Sequence, residues 1–217
     1  MPATSVLIKR FPLGPLETNT YVLLDRKTRK AAVVDPAAED DGLSRYLEAN
    51  ASSVEKILLT HGHIDHIGGV PGLRSRWKAD VCIHPLDAGM LTRPSENLSV
   101  FLGISFRAGD ADQMLEDGQE IALGSFRIRV LHTPGHTPGS LSFAGEGFAL
   151  VGDTLFRHSV GRTDFRGSSM EQLLHSIRHR LIPLGDAVRV FPGHGEETTI
   201  GQEKNTNPFL AADPGGI

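Results

Sequence analysis

The sequence of 217 residues has one cysteine, one tryptophan and no long uninterrupted run of apolar residues. A single cysteine, Cys82, excludes an intramolecular disulfide, and its position between Val81 and Ile83 is typical of a small residue in a buried strand. The apolar runs are too short for a membrane-spanning helix, and residues 1–6 contain no apolar stretch of signal-peptide length. We therefore expect a cytoplasmic protein that does not contact a membrane.

The sequence also has no excess of positive charge. Lysine and arginine together number 22 against 26 aspartates and glutamates, which gives a formal net charge of -4, and the basic residues are scattered along the chain. This distribution does not favour a nucleic-acid partner. The hydrophobic content of 39% is that of a globular protein, and the length suits a single domain spanning residues 1–217. The sequence does not indicate an oligomeric state.

Short aliphatic and β-branched runs, each bounded by turn residues, predict β-strands. They lie at residues 6–8, 21–24, 31–34, 57–59, 81–83, 126–130, 141–143, 148–151 and 188–190. Two segments between them, residues 41–49 and 170–181, carry apolar residues at helical spacing. Strands interspersed with helices favour an α/β fold built in layers. The segment 91–118 lacks clean periodicity, which is compatible with a long loop over a site or with a poorly periodic helical connection.

The densest group of potential metal ligands follows the fourth predicted strand and comprises His61, His63, Asp65 and His66. In extended backbone, alternate side chains point to the same side, so His61 and His63 can bind one ion. If a helix begins near Gly68, Asp65 and His66 are carried to a neighbouring position, and one loop would then contribute to two metal sites. Imidazoles with a carboxylate suit zinc, and equally iron or manganese.

Three further candidates follow later predicted strands, and each has glycine or proline beside it: His136, Asp153 and His194. Rigid scaffolds place reactive loops at such strand ends. Taken singly, a histidine or aspartate after a strand is more often a turn or cap residue than a metal ligand. Together with the first group, these residues predict two coordination spheres for divalent ions, with zinc as the first expectation.

The ordered pattern His-x-His-x-Asp-His, followed by the three later residues, resembles the metallo-β-lactamase superfamily over nearly the whole chain. The resemblance implies a four-layer αβ/βα sandwich with a dinuclear site at one edge of its two sheets. By that pattern the first metal is held by His61, His63 and His136. The second is held by Asp65, His66 and His194, and Asp153 bridges both metals.

Two segments, residues 152–156 and 160–165, resemble the glyoxalase II and persulfide dioxygenase branch of the superfamily. Two segments in the C-terminal part of the sequence, residues 191–195 and 207–210, resemble those of short bacterial glyoxalase II-like hydroxyacylglutathione hydrolases. This resemblance implies hydrolysis of S-lactoylglutathione, or of another hydroxyacylglutathione, by hydroxide held between two metal ions. Asp65 would orient the hydroxide as the catalytic residue, and Arg162 would bind a carboxylate of the small-molecule thioester.

Two departures from full-length glyoxalase II leave the acyl and thiol specificity unpredicted. Only 23 residues (217 minus 194) follow His194, too few for the C-terminal helical domain of that family. In addition, Glu196 stands where the family has a glutathione-contacting tyrosine.

Three alternatives stay open. A persulfide dioxygenase with a single iron shares the segment 161–165, and a non-catalytic metal-binding domain would use the same residues. A lactonase would assist with a tyrosine, but Tyr21 and Tyr46 fall in early elements, where we expect them to lie away from the ligand loops. Antibiotic hydrolysis is disfavoured because Asp153 stands where true β-lactamases carry cysteine or serine.

Overall fold

The computed structural model describes residues 5–211, so the first four and last six residues of the predicted domain lie outside the described residues. The described chain forms fourteen strands, many of them buried on both faces. They are β1 (Val6–Leu13), β2 (Thr18–Asp25), β3 (Lys30–Val34), β4 (Ser53–Leu58), β5 (Asp80–Ile83), β6 (Gln113–Met114), β7 (Glu120–Leu123), β8 (Phe126–His132), β9 (Leu141–Gly145), β10 (Phe148–Gly152), β11 (Leu155–Phe156), β12 (Ser159–Val160), β13 (Arg189–Pro192) and β14 (Thr198–Thr199).

Two six-stranded sheets contain all but β11 and β12, which pair with each other. The first sheet has the order β1-β2-β3-β4-β5-β6, antiparallel over its first three strands and parallel from β3 onward. The second has the order β14-β13-β10-β9-β8-β7, in which β10 and β13 are the parallel pair. Each strand predicted from the sequence is present. The sequence did not indicate five short strands of two to four residues, β6, β7, β11, β12 and β14.

The described helices are α1 (Asp41–Asn50), α2 (Ile64–Ile67), α3 (Val70–Trp77), α4 (Met170–Ser176), α5 (Ile200–Thr206) and α6 (Pro208–Ala211). The carboxylate of Asp40 caps α1 by accepting from the backbone of Leu43 at 2.7 Å, which satisfies one free N–H of the first turn. The predicted helix at 170–181 is confirmed, but only its first half is α-helical. It continues as a π-helix over Ile177–Leu181.

Three apolar clusters show that the molecule has four layers. One cluster lies between the two sheets and contains Leu23, Val34 and Phe143. Another joins the outer face of the first sheet to α1, α2 and α3. The remaining one joins the outer face of the second sheet to α4, its π-helical extension and α5. This helix–sheet–sheet–helix stack is the architecture that the sequence resemblance implies.

The segment 91–118 is mostly irregular, so the long-loop interpretation describes it better than a helical connection. It contains a 3-10 turn over Ser99–Leu102 and the short strand β6. The buried side chain of Asn97 organises it by donating to the carbonyls of Met90 and Phe106 at 3.0 and 3.1 Å. Within residues 5–211, no helix combines the length and apolarity needed to cross a bilayer.

Candidate metal centre

All seven predicted ligand residues follow strands whose ends meet at one edge of the two sheets. The segment from His61 to His66 follows β4, while His136, Asp153 and His194 follow β8, β10 and β13. Parallel strands such as β10 and β13 end at the same edge, which brings their loops together. The expected turn into a helix occurs slightly earlier than Gly68, because α2 already begins at Ile64.

Three imidazoles converge in what we call the three-histidine group, His61, His63 and His136. The Nδ1 atom of His63 lies 3.0 Å from the Nε2 atom of His61 and 3.0 Å from that of His136. All three side chains are buried. His63 therefore faces the centre through Nδ1, and the other two face it through Nε2.

The aspartate group, Asp65, His66 and His194, lies beside the first. One carboxylate oxygen of Asp65 is 3.5 Å from Nε2 of His66 and 3.2 Å from Nε2 of His194. Asp153 lies between the two groups. Its Oδ1 is 3.5 Å from Nε2 of His66, and its Oδ2 is 3.6 Å from Nε2 of both His136 and His194.

In four of the five histidines the outward-facing ring nitrogen has a partner, which fixes how the ring is oriented. Thr60 contacts Nδ1 of His61 at 3.1 Å, and the carbonyls of Arg162 and Leu16 lie 2.8 and 3.3 Å from Nδ1 of His136 and His194. For His66 the partner is the carboxylate of Asp35, at 2.9 Å.

Asp35 therefore supports the centre from behind. Its two oxygens also accept from the backbone and the hydroxyl of Thr60, at 2.8 and 2.6 Å. Asp35 thereby links the ring of His66 to the start of the ligand loop.

The two groups differ in their electrostatics. Burial lowers the pKa of His61 well below its ordinary value, and burial with the neighbouring His136 lowers the pKa of His63 to about 3. Burial acts in the same direction on His66, but the carboxylates of Asp65, Asp153 and Asp35 outweigh it and raise its pKa to about 10. The first group thus offers neutral imidazoles, whereas the second is rich in negative charge.

Glycine is required beside two of the predicted ligands. A Cβ at Gly193 would overlap Oδ1 of Asp153 and crowd the ring of His66. Gly152, which precedes Asp153, adopts a φ of 49°, and a Cβ there would overlap Thr60. These contacts explain why the predicted ligands that follow β10 and β13 are each preceded by glycine.

The residues fit divalent metal ions. Three ring nitrogens that meet at 3.0 Å cannot all donate to one another, and Nε2 of His66 and Oδ1 of Asp153 are buried without a hydrogen-bond partner. The donor atoms within each of three sets lie within 4.8 Å of one another. The sets are His61–His63–His136, His61–His66–Asp153 and Asp65–His66–His194. That these residues bind metal stays a prediction.

A cavity of about 440 Å³ opens beside the three-histidine group, between the loop after β5 and the loop after β12. Its apolar wall is formed by Leu86, Met90, Leu98, Pro138 and Phe165, and its polar lining by Asp87, Ser95, Glu96, Thr137 and Arg166, next to His63 and His136. Most of these lining residues lie in irregular loops whose sequence shows no motif, although Phe165 belongs to the segment 160–165 that carries the family resemblance.

Arg162 lies close to the cavity but its charge is already paired. Its Nε and Nη2 atoms donate to both oxygens of Asp164 at 3.0 and 2.7 Å, and its guanidinium lies 4.7 Å from the ring centre of Phe165. Binding of a substrate carboxylate by Arg162 remains a prediction. Glu196, at the position of the family's tyrosine, pairs with Arg157 at the surface.

The expectation that both tyrosines lie away from the ligand loops is wrong for Tyr21. Its hydroxyl donates to the carbonyl of Pro192 at 2.8 Å, two residues before His194. The strand β2 crosses beneath that loop, which neighbouring positions in the sequence could not reveal. The side chain of Tyr21 is buried, and burial raises the pKa of its hydroxyl, so it supports the loop.

The sequence model described as the Metallo-beta-lactamase superfamily matches residues 13–194. The chain belongs to this superfamily. Membership, together with the His and Asp donor groups, indicates a hydrolase-type enzyme that uses divalent metal ions.

Three proteins are similar to this chain over most of its length. The hydroxyacylglutathione hydrolase GloC of Haemophilus influenzae is 34% identical, covering 94% of this chain and 97% of GloC. The crystal structure of the B3 metallo-beta-lactamase BLEG-1 is 38% identical with a TM-score of 0.90, covering 95% of this chain and 100% of that one. The crystal structure of TTHA1623 in a di-iron-bound form is 35% identical with a TM-score of 0.82, covering 93% and 100%.

Proposed function

We propose that this enzyme hydrolyses thioesters of glutathione, with S-lactoylglutathione or another hydroxyacylglutathione as substrate. The observation that carries the proposal is the pairing of two donor groups through Asp153 beside a cavity large enough for a substrate of this size. The similarity to GloC supports the choice of substrate. Two bound divalent ions would lower the pKa of water and polarise the thioester carbonyl.

The chemistry of the leaving group favours a thioester over an amide as the substrate. An amine must be protonated as it departs, whereas a thiol with an ordinary pKa of ~8.5 leaves as thiolate. Outside the predicted ligands, the carboxyl groups among the described cavity residues are Asp87 and Glu96, and both are engaged. Asp87 accepts from Thr137 and Gly139, and Glu96 pairs with Arg93 at 2.6 Å. The cavity therefore suits a substrate whose leaving group needs no acid.

Asp65 acts in this proposal as an acceptor that orients the attacking water. Burial alone would raise its pKa, but His66 and His194 outweigh burial and hold the pKa far below its ordinary value. The hydroxyl of Thr18 donates to the same carboxylate at 3.1 Å, which limits its rotation. Asp65 thus stays ionised at neutral pH and can accept a hydrogen bond from water, but it cannot serve as an acid.

The experiment is a comparison of four substrates on protein whose metal content has been measured by elemental analysis. We expect about two divalent ions per chain, zinc first and iron or manganese as alternatives, and release of free thiol from S-lactoylglutathione without oxygen uptake. Oxygen uptake with glutathione persulfide and one iron per chain would instead identify a dioxygenase.

The other two substrates test the remaining alternatives. The similarity to BLEG-1 makes a chromogenic β-lactam a necessary comparison, and an acyl-homoserine lactone tests the lactonase. Turnover of either one with no thiol release would contradict the proposal. Bound metal without turnover of all four would indicate a non-catalytic domain.

A further inference from the structure

Two arginines four residues apart, Arg162 and Arg166, differ in how they are placed at the cavity. Arg162 is bound at both ends of its guanidinium by Asp164 and is not among the residues that line the cavity. Arg166 lines the cavity together with His63 and His136, and its side chain is exposed. No carboxylate of residues 5–211 forms an ion pair with Arg166.

Among the charged side chains that line the cavity, Arg166 is the one without a partner within residues 5–211. Glu96 is paired with Arg93, and Asp87 is fully buried beneath Thr137 and Gly139. The wall between these groups is apolar and includes Met90 and Phe165. A guanidinium at the edge of such a cavity matches a carboxylate, because its planar donors can form two hydrogen bonds to the two oxygens.

Resting on the thioester hydrolysis proposed above, we propose that Arg166 binds a carboxylate on the thiol-bearing part of the substrate. The enzyme is then selective for anionic thioesters, and Arg166 is a specificity-determining residue. Arg162 remains engaged by Asp164 and shapes the loop by packing on Phe165.

The test compares S-lactoylglutathione with S-lactoyl-N-acetylcysteamine, which carries the same acyl group but no carboxylate. Arg166→Gln should raise KM for the glutathione thioester about 10-fold, the lower end for a charge-assisted hydrogen bond. It should leave kcat nearly unchanged and should not alter turnover of the N-acetylcysteamine thioester. Arg166→Lys should recover part of the loss because the charge is retained.

Arg162→Gln tests the competing assignment, in which Arg162 binds the substrate carboxylate. Arg45→Gln, on the outer helix α1, is the matched control. If Arg162→Gln rather than Arg166→Gln raises KM only for the glutathione thioester, the proposal is wrong. Equal losses on both thioesters for Arg166→Gln would also overturn it, since the residue would then act through the fold.

A binding measurement separates this proposal from the proposed function. S-methylglutathione, which contains no thioester, should bind the metal-loaded protein about 10-fold more weakly after Arg166→Gln. Its diethyl ester should bind both proteins equally. Weakened binding with no thioester turnover in the wild type would refute the proposed function but keep Arg166 as an anion-binding residue. Unchanged binding would refute the assignment of Arg166.

Discussion

The three-histidine group and the aspartate group lie side by side but are stabilised in different ways. His61, His63 and His136 are buried and held by loops, with no carboxylate in direct contact with their outward-facing nitrogens. The aspartate group is more open, with His194 29% exposed, and it depends on the negative charge behind and beside His66. We infer that geometry dominates metal affinity in the first group and charge dominates it in the second.

The largest expected effect comes from Asp153, the residue between the groups. Asp153→Asn preserves the shape but removes the charge, and an amide binds divalent metal poorly. The aspartate group should lose its ion first, and thioester turnover should fall by orders of magnitude while the three-histidine group keeps part of its metal. Elemental analysis and thiol release measure both outcomes. Two ions with near-normal turnover would mean that Asp153 merely caps the turn after β10.

A substitution at Asp35 tests the aspartate group separately from the three-histidine group. Asp35→Asn weakens the contact with Nδ1 of His66, and we expect metal affinity at that group to fall by roughly 10- to 100-fold, the usual effect of losing such a supporting contact. A competition assay with a chelator, resolving two metal equivalents, measures this. Asp25→Asn, at another buried carboxylate, is the control. An equal loss in both equivalents would contradict the separation of the two groups.

A substitution at Asp87 tests the three-histidine group, but indirectly, because Asp87 contacts the loops that carry the histidines and not their rings. Its carboxylate accepts from Thr137 and Gly139 at 2.6 and 2.8 Å and also interacts with the backbone of Gly62, between two of the histidines. Asp87→Asn should lower the free energy of unfolding by about 1–3 kcal/mol. It should weaken metal binding less than Asp35→Asn does, because no ring contact is removed. Denaturant unfolding and the same chelator competition test both statements.

The smallest effect concerns a histidine pair outside the centre. His84 stacks on His132 at 4.2 Å, and burial, reinforced by His132, lowers the pKa of His84 to about 4. The unfolded chain takes up this proton near pH 6.5, so stability should decrease as the pH falls from about 6.5 to 4. His84→Asn should reduce that decrease, measured by urea unfolding at pH 7.5 and pH 5. An unchanged pH dependence would assign the loss to the metal ligands alone.

The sequence was sufficient to predict the layers and to select seven residues that the structure brings together, because both follow from strand ends. That these seven residues bind metal stays a prediction. Aliphatic runs mark the strands, and the histidines and aspartates after four of these strands, β4, β8, β10 and β13, mark the edge where the site lies. Contacts between distant segments were less accessible. The roles of Asp35 and Tyr21 depend on how β2 and β3 meet loops far along the chain, and Arg166 lies in a loop without periodicity. The choice of Arg162 followed a family motif, and its role in substrate binding stays a prediction.

The position of β2 beneath the last ligand loop has a consequence for folding. The backbone N–H of Asn19 donates to the carbonyl of Gly193 at 2.7 Å, and its side chain donates to those of Pro192 and Gly195. These contacts join segments more than 170 residues apart, so closing them requires both sheets to have docked. We therefore expect His61 and His63 to capture metal early during folding and His194 to arrive last. Refolding in metal should then show fast uptake of one equivalent and a slower second phase that Asn19→Ala delays.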